Sequence, residues 1–233
     1  MDVFGEALTD FYNGRLKEKL FLHTSYGETE EMPVEVFFRE EADLTPLESV
    51  ALRYCKGQVL DVGAGAGALT KILIDRGLHC TAVEISESAC QIMKADGIKN
   101  VRCEDILNST PEPQYDTVLL LMNGLGLAGK LDKLSHFLLH MKGFLKPDGQ
   151  LICDSSDISY LYDESYPKPM NHYYGEIRYQ YEYKGKKGSW FDWLYVDLET
   201  LQPIALALGF EVKLLFKDQS DQYLLQLTLA EKN

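Results

Sequence analysis

Val59-Leu60-Asp61-Val62-Gly63-Ala64-Gly65-Ala66-Gly67-Ala68 is the stretch that decides the fold. An apolar run of strand length ends in three alternating glycines and continues into a helix-like segment. Glycines at such a turn let backbone approach a ligand closely and let the next helix pack against the strand. Gly63, Gly65 and Ala68 satisfy the dinucleotide spacing G-x-G-x-x-G/A, and Glu84 follows Gly63 by 21 residues, near where a ribose-binding acid is expected. The glycines alone leave the ligand open. Asp61 separates the readings: its carboxylate would repel a pyrophosphate but favour a ligand carrying an ammonium and a sulfonium.

Outward from the loop, short β-rich runs alternate with helical segments. Strands at 58–62, 79–84, 100–103, 115–122 and 149–154, with helices at 66–76, 87–96 and 130–144, predict a parallel sheet with helices on its faces. Thr45-Pro46-Leu47-Glu48 is a capping box with Pro at the first helical position, opening a helix to about Cys55. Strands at 211–218 and 222–230 are expected to pair antiparallel at an edge, after a helix at 198–208 whose start Pro203 obscures. Two stretches stand outside this alternation. Glu28 to Glu48 holds eight acids against Arg39 alone, and 155–196 holds nine of the 14 tyrosines and both tryptophans. Within the latter, Glu176 to Tyr183 alternates with period two, and Gly185-Lys186-Lys187-Gly188 turns it back into a hairpin. This locally basic hairpin reads either as a lid over a pocket or as aromatics packing on the sheet, and Lys184 to Lys187 as a solvated tip or a contact for an anionic substrate.

With Asp61 included, the loop resembles motif I, D/E-x-G-x-G-x-G, of the class I S-adenosylmethionine (SAM)-dependent methyltransferases. Further landmarks follow in order. Glu84, ending Thr81-Ala82-Val83-Glu84, is similar to the acid this family uses for both ribose hydroxyls, with Ile85 beside it. Asp105, in Cys103-Glu104-Asp105-Ile106, resembles the acid that accepts from the adenine amino group, with the Ile106 backbone adjacent. Tyr115 to Asn123 matches the fourth strand and brings Met122 and Asn123 to the cofactor; Leu145-Lys146-Pro147-Asp148-Gly149 is similar to the L-K-P-G-G turn, with Asp148 in place of Gly. The resemblance covers 57–154 by motif and 198–230 by topology only.

It implies a single domain over 1–233 with a three-layer α/β Rossmann-like fold, whose seven-stranded, mostly parallel sheet ends in an antiparallel strand. N-terminal helices would cover it over 1–56, the SAM-binding core would span 57–154, a β-hairpin insertion or lid 155–196, and the last helix and strand pair 197–233. It further implies SAM as cofactor, S-adenosylhomocysteine (SAH) as product, and no metal. Cofactor contacts fall on Asp61, Gly63, Ala64, Gly65, Gly67, Glu84, Ile85, Asp105, Ile106, Met122 and Asn123. Arg39 is read as a clamp on the methionine carboxylate or as an ordinary surface arginine.

Methyl transfer from a sulfonium is an in-line displacement that needs proximity, alignment and exclusion of water, with a base only where the nucleophile arrives protonated. Open α/β sheets bind ligands beyond the carboxyl ends of their strands, which places Asn123 and Asp154 to Asp157 beside the methyl group. Asp154, Asp157 and His172 are the candidate bases, and Asn123 reads as orienting a polar group or as a turn residue. Every one of these motifs binds cofactor and none performs chemistry, so a non-catalytic SAM-binding module satisfies them too. An NAD(P)-dependent oxidoreductase fits the glycine spacing but not Asp61.

Composition narrows the partners. The 233 residues are 45% hydrophobic, and 23 Lys+Arg against 36 Asp+Glu give a net charge of −13, which repels nucleic acid and anionic lipid. Asn123 also lacks the Pro-Pro-aromatic sequence of enzymes that methylate nucleic-acid amines. A small-molecule acceptor is expected, with no nucleic acid and no membrane; no pattern encodes oligomeric state. Five cysteines without a Cys-x-x-Cys pair read as buried free thiols in a reducing compartment. Asp2, Glu6 and Asp10 interrupt the start of the chain, leaving no apolar signal region, so a cytoplasmic location is expected. His136 and His140 have the spacing of a metal pair but lack an intervening Glu and a third ligand, and read as packing or surface residues. Gly124 to Gly129 repeats G-x-G-x-x-G and reads as the loop after the fourth strand, where backbone passes close to a substrate or to the methyl donor.

Overall fold

The alternation of strand and helix is realised in full in the computed structural model, which describes residues 1–112 and 114–230. In chain order the elements are α1 (Val3–Tyr12), β1 (Leu20–Thr24), β2 (Thr29–Met32), α2 (Pro46–Tyr54), β3 (Gln58–Val62), α3 (Ala68–Asp75), β4 (His79–Glu84), α4 (Glu87–Ala95), β5 (Val101–Cys103), β6 (Tyr115–Leu120), α5 (Leu131–Lys142), β7 (Leu145–Ser156), β8 (Glu176–Tyr183), β9 (Lys186–Lys187), β10 (Phe191–Leu194), α6 (Leu198–Ala207), β11 (Phe210–Lys217) and β12 (Gln222–Leu229). Seven strands form a mixed sheet in the order β11-β12-β7-β6-β3-β4-β5. β4 and β5 are parallel, as are β6 and β7, while β12 runs antiparallel to both β7 and β11. A second sheet has the order β10-β8-β1-β2, with β9 on β8.

The chain divides into two compact units. The first comprises Met1–Leu44, Leu60–Ser109 and Arg178–Phe191. In it, the apolar face of α1 (Val3, Ala7, Leu8) packs with Leu20, Val34, Ala89, Ile92 and the fully buried Tyr183. The N-terminal region is therefore not helices alone: between α1 and the chain turns at 34–43 lies the antiparallel pair β1–β2, and β1 is also paired with β8, Phe21 opposite Glu182. The hairpin of β8 and β9 forms as expected, but its basic tip is not free. Lys184 pairs with Asp10, Lys186 with Glu6 at 2.8 Å and Lys187 with Glu182 at 3.4 Å, so acids of α1 and β8 take up its charge.

The second unit comprises Thr45–Val59, Thr110–Ile177 and Asp192–Asn233. The capping box is present in both directions: the Glu48 N–H donates to Thr45 Oγ1 at 3.2 Å and the Thr45 N–H to Glu48 Oε2 at 3.0 Å. Asp197 caps α6 by accepting from the Thr200 N–H at 2.8 Å, so the helix starts well before Pro203. β6 ends at Leu120, two residues earlier than expected, because Met122 and Asn123 both adopt left-handed backbone, with φ of 62° and 55°.

Candidate functional site

Two groups of residues carry the candidate chemistry, and they are built separately. The first surrounds the glycine turn between β3 and α3. Gly63, Gly65 and Gly67 all have positive φ. Gly67 shows why the side chain must be absent: at φ +88° a Cβ would lie 2.6 Å from Ile98 Cδ1 and 2.7 Å from Met93 Cγ, so the turn is packed directly onto α4. The Gly63 and Ala64 N–H groups both donate to the Val83 carbonyl, tying the turn to β4.

Asp61 is buried, 4% exposed, and accepts from Thr70 Oγ1 at 2.5 Å. Burial pushes its carboxyl up to about 6, the Thr70 bond opposes this, and the neighbouring Glu84 charge adds to it. Glu84 is buried as well; burial raises its carboxyl against the pull of backbone N–H groups. Its Oε2 accepts from the Gly65 N–H and its Oε1 from the Ser86 N–H, both at 2.9 Å. Ser86 Oγ in turn donates to Asp2 at 2.6 Å, which links the acid to the start of α1. The structure thus brings Asp61, Glu84 and the glycine turn together. Thr70, Ser86 and Asp2 were missed from sequence; a Thr on the first turns of α3, one helical repeat from the loop, is the only local signal for the first of them.

Ile85, beside Glu84, is an apolar side chain left 70% exposed. Asp105 caps its own turn, accepting from the Leu107 N–H at 2.9 Å and from Asn108 at 2.7 Å, while Ile106 is buried behind it. Arg39 is half-buried, donates to the Val36 carbonyl at 2.7 Å, and has its pKa lowered by burial. It lines a cavity of about 380 Å³ together with Phe37, Gly67, Ala68 and Lys71.

The second group lies at the carboxyl ends of β6 and β7. Asp154 is 1% exposed and accepts from the Asn123 and Gly124 N–H groups at 3.0 and 2.9 Å and from Gln222 at 3.3 Å. Burial pushes its carboxyl up to about 6. Through these bonds Asp154 holds the turn at Asn123 and Gly124. Asn123 Oδ1 accepts from Ser156 Oγ at 2.7 Å. Asp157 accepts from the Ser159 N–H and the Tyr174 hydroxyl, both at 2.8 Å. His172 is exposed and bonded to its neighbour Asn171, away from these residues in hydrogen bonding.

The close approach at Gly126 is internal: a Cβ there would lie 2.1 Å from the Trp193 indole nitrogen. The second glycine repeat packs against an aromatic ring at Gly126. Among the cysteines, Cys55, Cys80, Cys90 and Cys153 are buried free thiols but Cys103 is exposed, because it sits at the end of the edge strand β5. Among the described residues no three His, Cys, Asp or Glu side chains gather into a metal-holding group, and no helix is long and apolar enough to cross a membrane.

Comparison with known proteins adds to this geometry. Residues 60–153 match a family model described as a methyltransferase domain. The chain is similar to a SAM-dependent methyltransferase from Bacteroides fragilis crystallised with SAH, at 36% identity and a TM-score of 0.91, over 99% of this chain and 95% of that one. The CcbJ methyltransferase from Streptomyces caelestis shares the fold at 14% identity and a TM-score of 0.65, over 98% of each chain. So does the sugar N-methyltransferase KedS8 from a Streptoalloteichus species, at 14% identity and 0.56, over 88% of this chain and 96% of that one. No curated protein sequence matches.

Proposed function

The chain belongs to the SAM-dependent methyltransferases, and from that premise we propose that it methylates a small-molecule acceptor, holding SAM through the residues of the glycine turn. SAM supplies a methyl group on a cationic sulfur, and the fit rests on one observation: two buried carboxylates, Asp61 and Glu84, flank the same turn. Burial alone disfavours their charge, so a cationic ligand beside Asp61 stabilises an ionised state that the unliganded chain holds only at a cost.

In this reading Asp61 binds the ammonium of the methionine moiety, through the positive-φ turn that keeps its own donors pointed away from a like charge. Glu84, held by two backbone N–H groups, accepts from the ribose hydroxyls. Ile85 offers an exposed apolar face to the adenine, and Asp105 with the Ile106 backbone reads its edge. Arg39 supports the carboxylate. Asp154 holds Asn123 and Gly124 through their N–H groups, and Asn123 orients the acceptor. Asp157 is the remaining candidate for moving a proton; His172 lacks a partner beyond Asn171 that would aim it. The net charge of −13 supports a small acceptor over a polyphosphate.

Calorimetric titration with SAH followed by an acceptor screen read out by homocysteine release tests the proposal. Micromolar SAH binding with turnover on a small acceptor is expected. Tight SAH binding with no turnover across amine, hydroxyl, thiol and carbon acceptors, alongside methylation of RNA or protein, would overturn the small-molecule reading.

A further inference from the structure

The tyrosines of the 155–196 segment form a structure that the cofactor residues do not use. Tyr162 and Tyr166 stack with centroids 5.5 Å apart and planes 9° from parallel; Tyr162 meets Tyr174 edge-on at 6.0 Å, and Tyr173 lies 4.6 Å from Tyr174. Two of the phenols are tied to carboxylates, while the Tyr162 hydroxyl donates to the Tyr174 carbonyl at 2.6 Å. The Tyr174 hydroxyl lies 2.8 Å from Asp157 Oδ1 and 3.2 Å from Asp197 Oδ2, and the Tyr173 hydroxyl donates to Asp197 Oδ2 at 2.5 Å. A phenol donating to a carboxylate gains electron density in its ring, which strengthens the negative face that attracts cations.

That face is already taken by a cation. Lys168 Nζ lies 3.7 Å from the Tyr174 ring centroid, although Lys168 itself is exposed. An exposed ammonium has water as its alternative partner, so its seat on the ring reports a local potential favourable to positive charge. The cage also adjoins the acceptor side of the chemistry: Ser156, the residue before Asp157, donates to Asn123.

We propose that the ring face of Tyr174, with Tyr162 and Tyr173 packed beside it and Asp157 and Asp197 behind it, is an aromatic cage wall that binds the ammonium group of an amine-bearing methyl acceptor, and that Lys168 occupies that face until the acceptor arrives. This deepens the small-molecule methyltransferase reading and rests on it. The ammonium is the handle by which the acceptor is recognised; the ring faces select its charge rather than a pattern of hydrogen bonds. A neutral acceptor of equal shape gains the apolar contact and loses the cation–π attraction.

The test uses choline and its uncharged carbon isostere 3,3-dimethylbutan-1-ol as probes on the full chain saturated with SAH, with affinities from NMR titration. Choline is expected to bind about ten-fold more tightly than the isostere. Lys168→Ala removes the internal competitor and is expected to raise choline affinity by about three-fold, while Tyr174→Leu abolishes the preference for charge. Equal binding of the two probes, or a choline affinity unmoved by Lys168→Ala, overturns the proposal. The Lys168 variant keeps the test decisive if Tyr174→Leu fails to fold, since Lys168 is on the surface. SAH calorimetry on the same samples separates the two levels: absent SAH binding refutes the methyltransferase reading, and SAH binding without charge discrimination refutes the cage alone.

Discussion

Asp154→Ala should expose how much of the acceptor-side turn is held by one buried side chain. The substitution removes acceptors at 3.0 and 2.9 Å from two backbone N–H groups, one of them buried, and a weaker one at 3.3 Å from Gln222. Each stranded donor costs about 1–3 kcal/mol. Against this stands the cost of an ionised carboxylate in the core. Its folded pKa of about 6 lies above the ordinary aspartate value of 3.8, so between those pH values the folded state binds the extra proton and stability falls as pH rises. The sign is therefore opposite to that of a salt-bridged acid. We expect Asp154→Ala to destabilise by about 4 kcal/mol at pH 5 and about 3 kcal/mol at pH 7.5, the difference being what the ionised carboxylate loses through burial. Urea denaturation followed by circular dichroism at the two pH values measures both. A loss below 1 kcal/mol at either pH, or a gap that widens with rising pH, would refute the argument.

Asp61→Asn should weaken SAH binding and remove its pH dependence. In the wild type, affinity should climb as pH rises through about 6, since the ligand ammonium selects the ionised carboxylate, by at most ten-fold per unit; a flat wild-type profile in calorimetry would sink the assignment. Gly67→Ala places a methyl 2.6 Å from Ile98 at φ +88°, and should lower stability by about 2 kcal/mol or more in thermal denaturation, with SAH affinity falling alongside. Thr45→Ala removes the side-chain half of the α2 capping box, the acceptor of the Glu48 N–H, and should cost about 1 kcal/mol, a fall of roughly 2–4 °C in Tm, with SAH affinity unchanged.

What could be read from the chain is what its chemistry determines locally. The glycine turn, the capping box and the order of strands and helices follow from patterns a few residues wide, and the ends of α3, α4 and β3 lie within two residues of expectation. β2 was invisible because Thr29-Glu30-Glu31-Met32 shows no apolar alternation; it is a strand because β1 pairs with it, and β1 is held in turn by β8, more than 150 residues away. The burial of Asp154 is not legible, because a carboxylate at a strand end carries no mark of it. Its partners, Asn123 and Gly124, are 30 residues distant, and only the adjacency of β6 and β7 brings them to it. The same blindness hid the pairing of Lys184 and Lys186 with acids of α1.

The contact between Gly126 and Trp193 turns the chain into its own spectroscopic reporter. Of its two tryptophans, Trp190 is 41% exposed beside Arg178, whereas the Trp193 indole lies against the backbone that continues from Asn123. A soluble quencher such as iodide should silence the first and spare the second, leaving an emission that changes when the turn after β6 shifts. Rearrangement of that turn can then be followed in unlabelled protein, in real time.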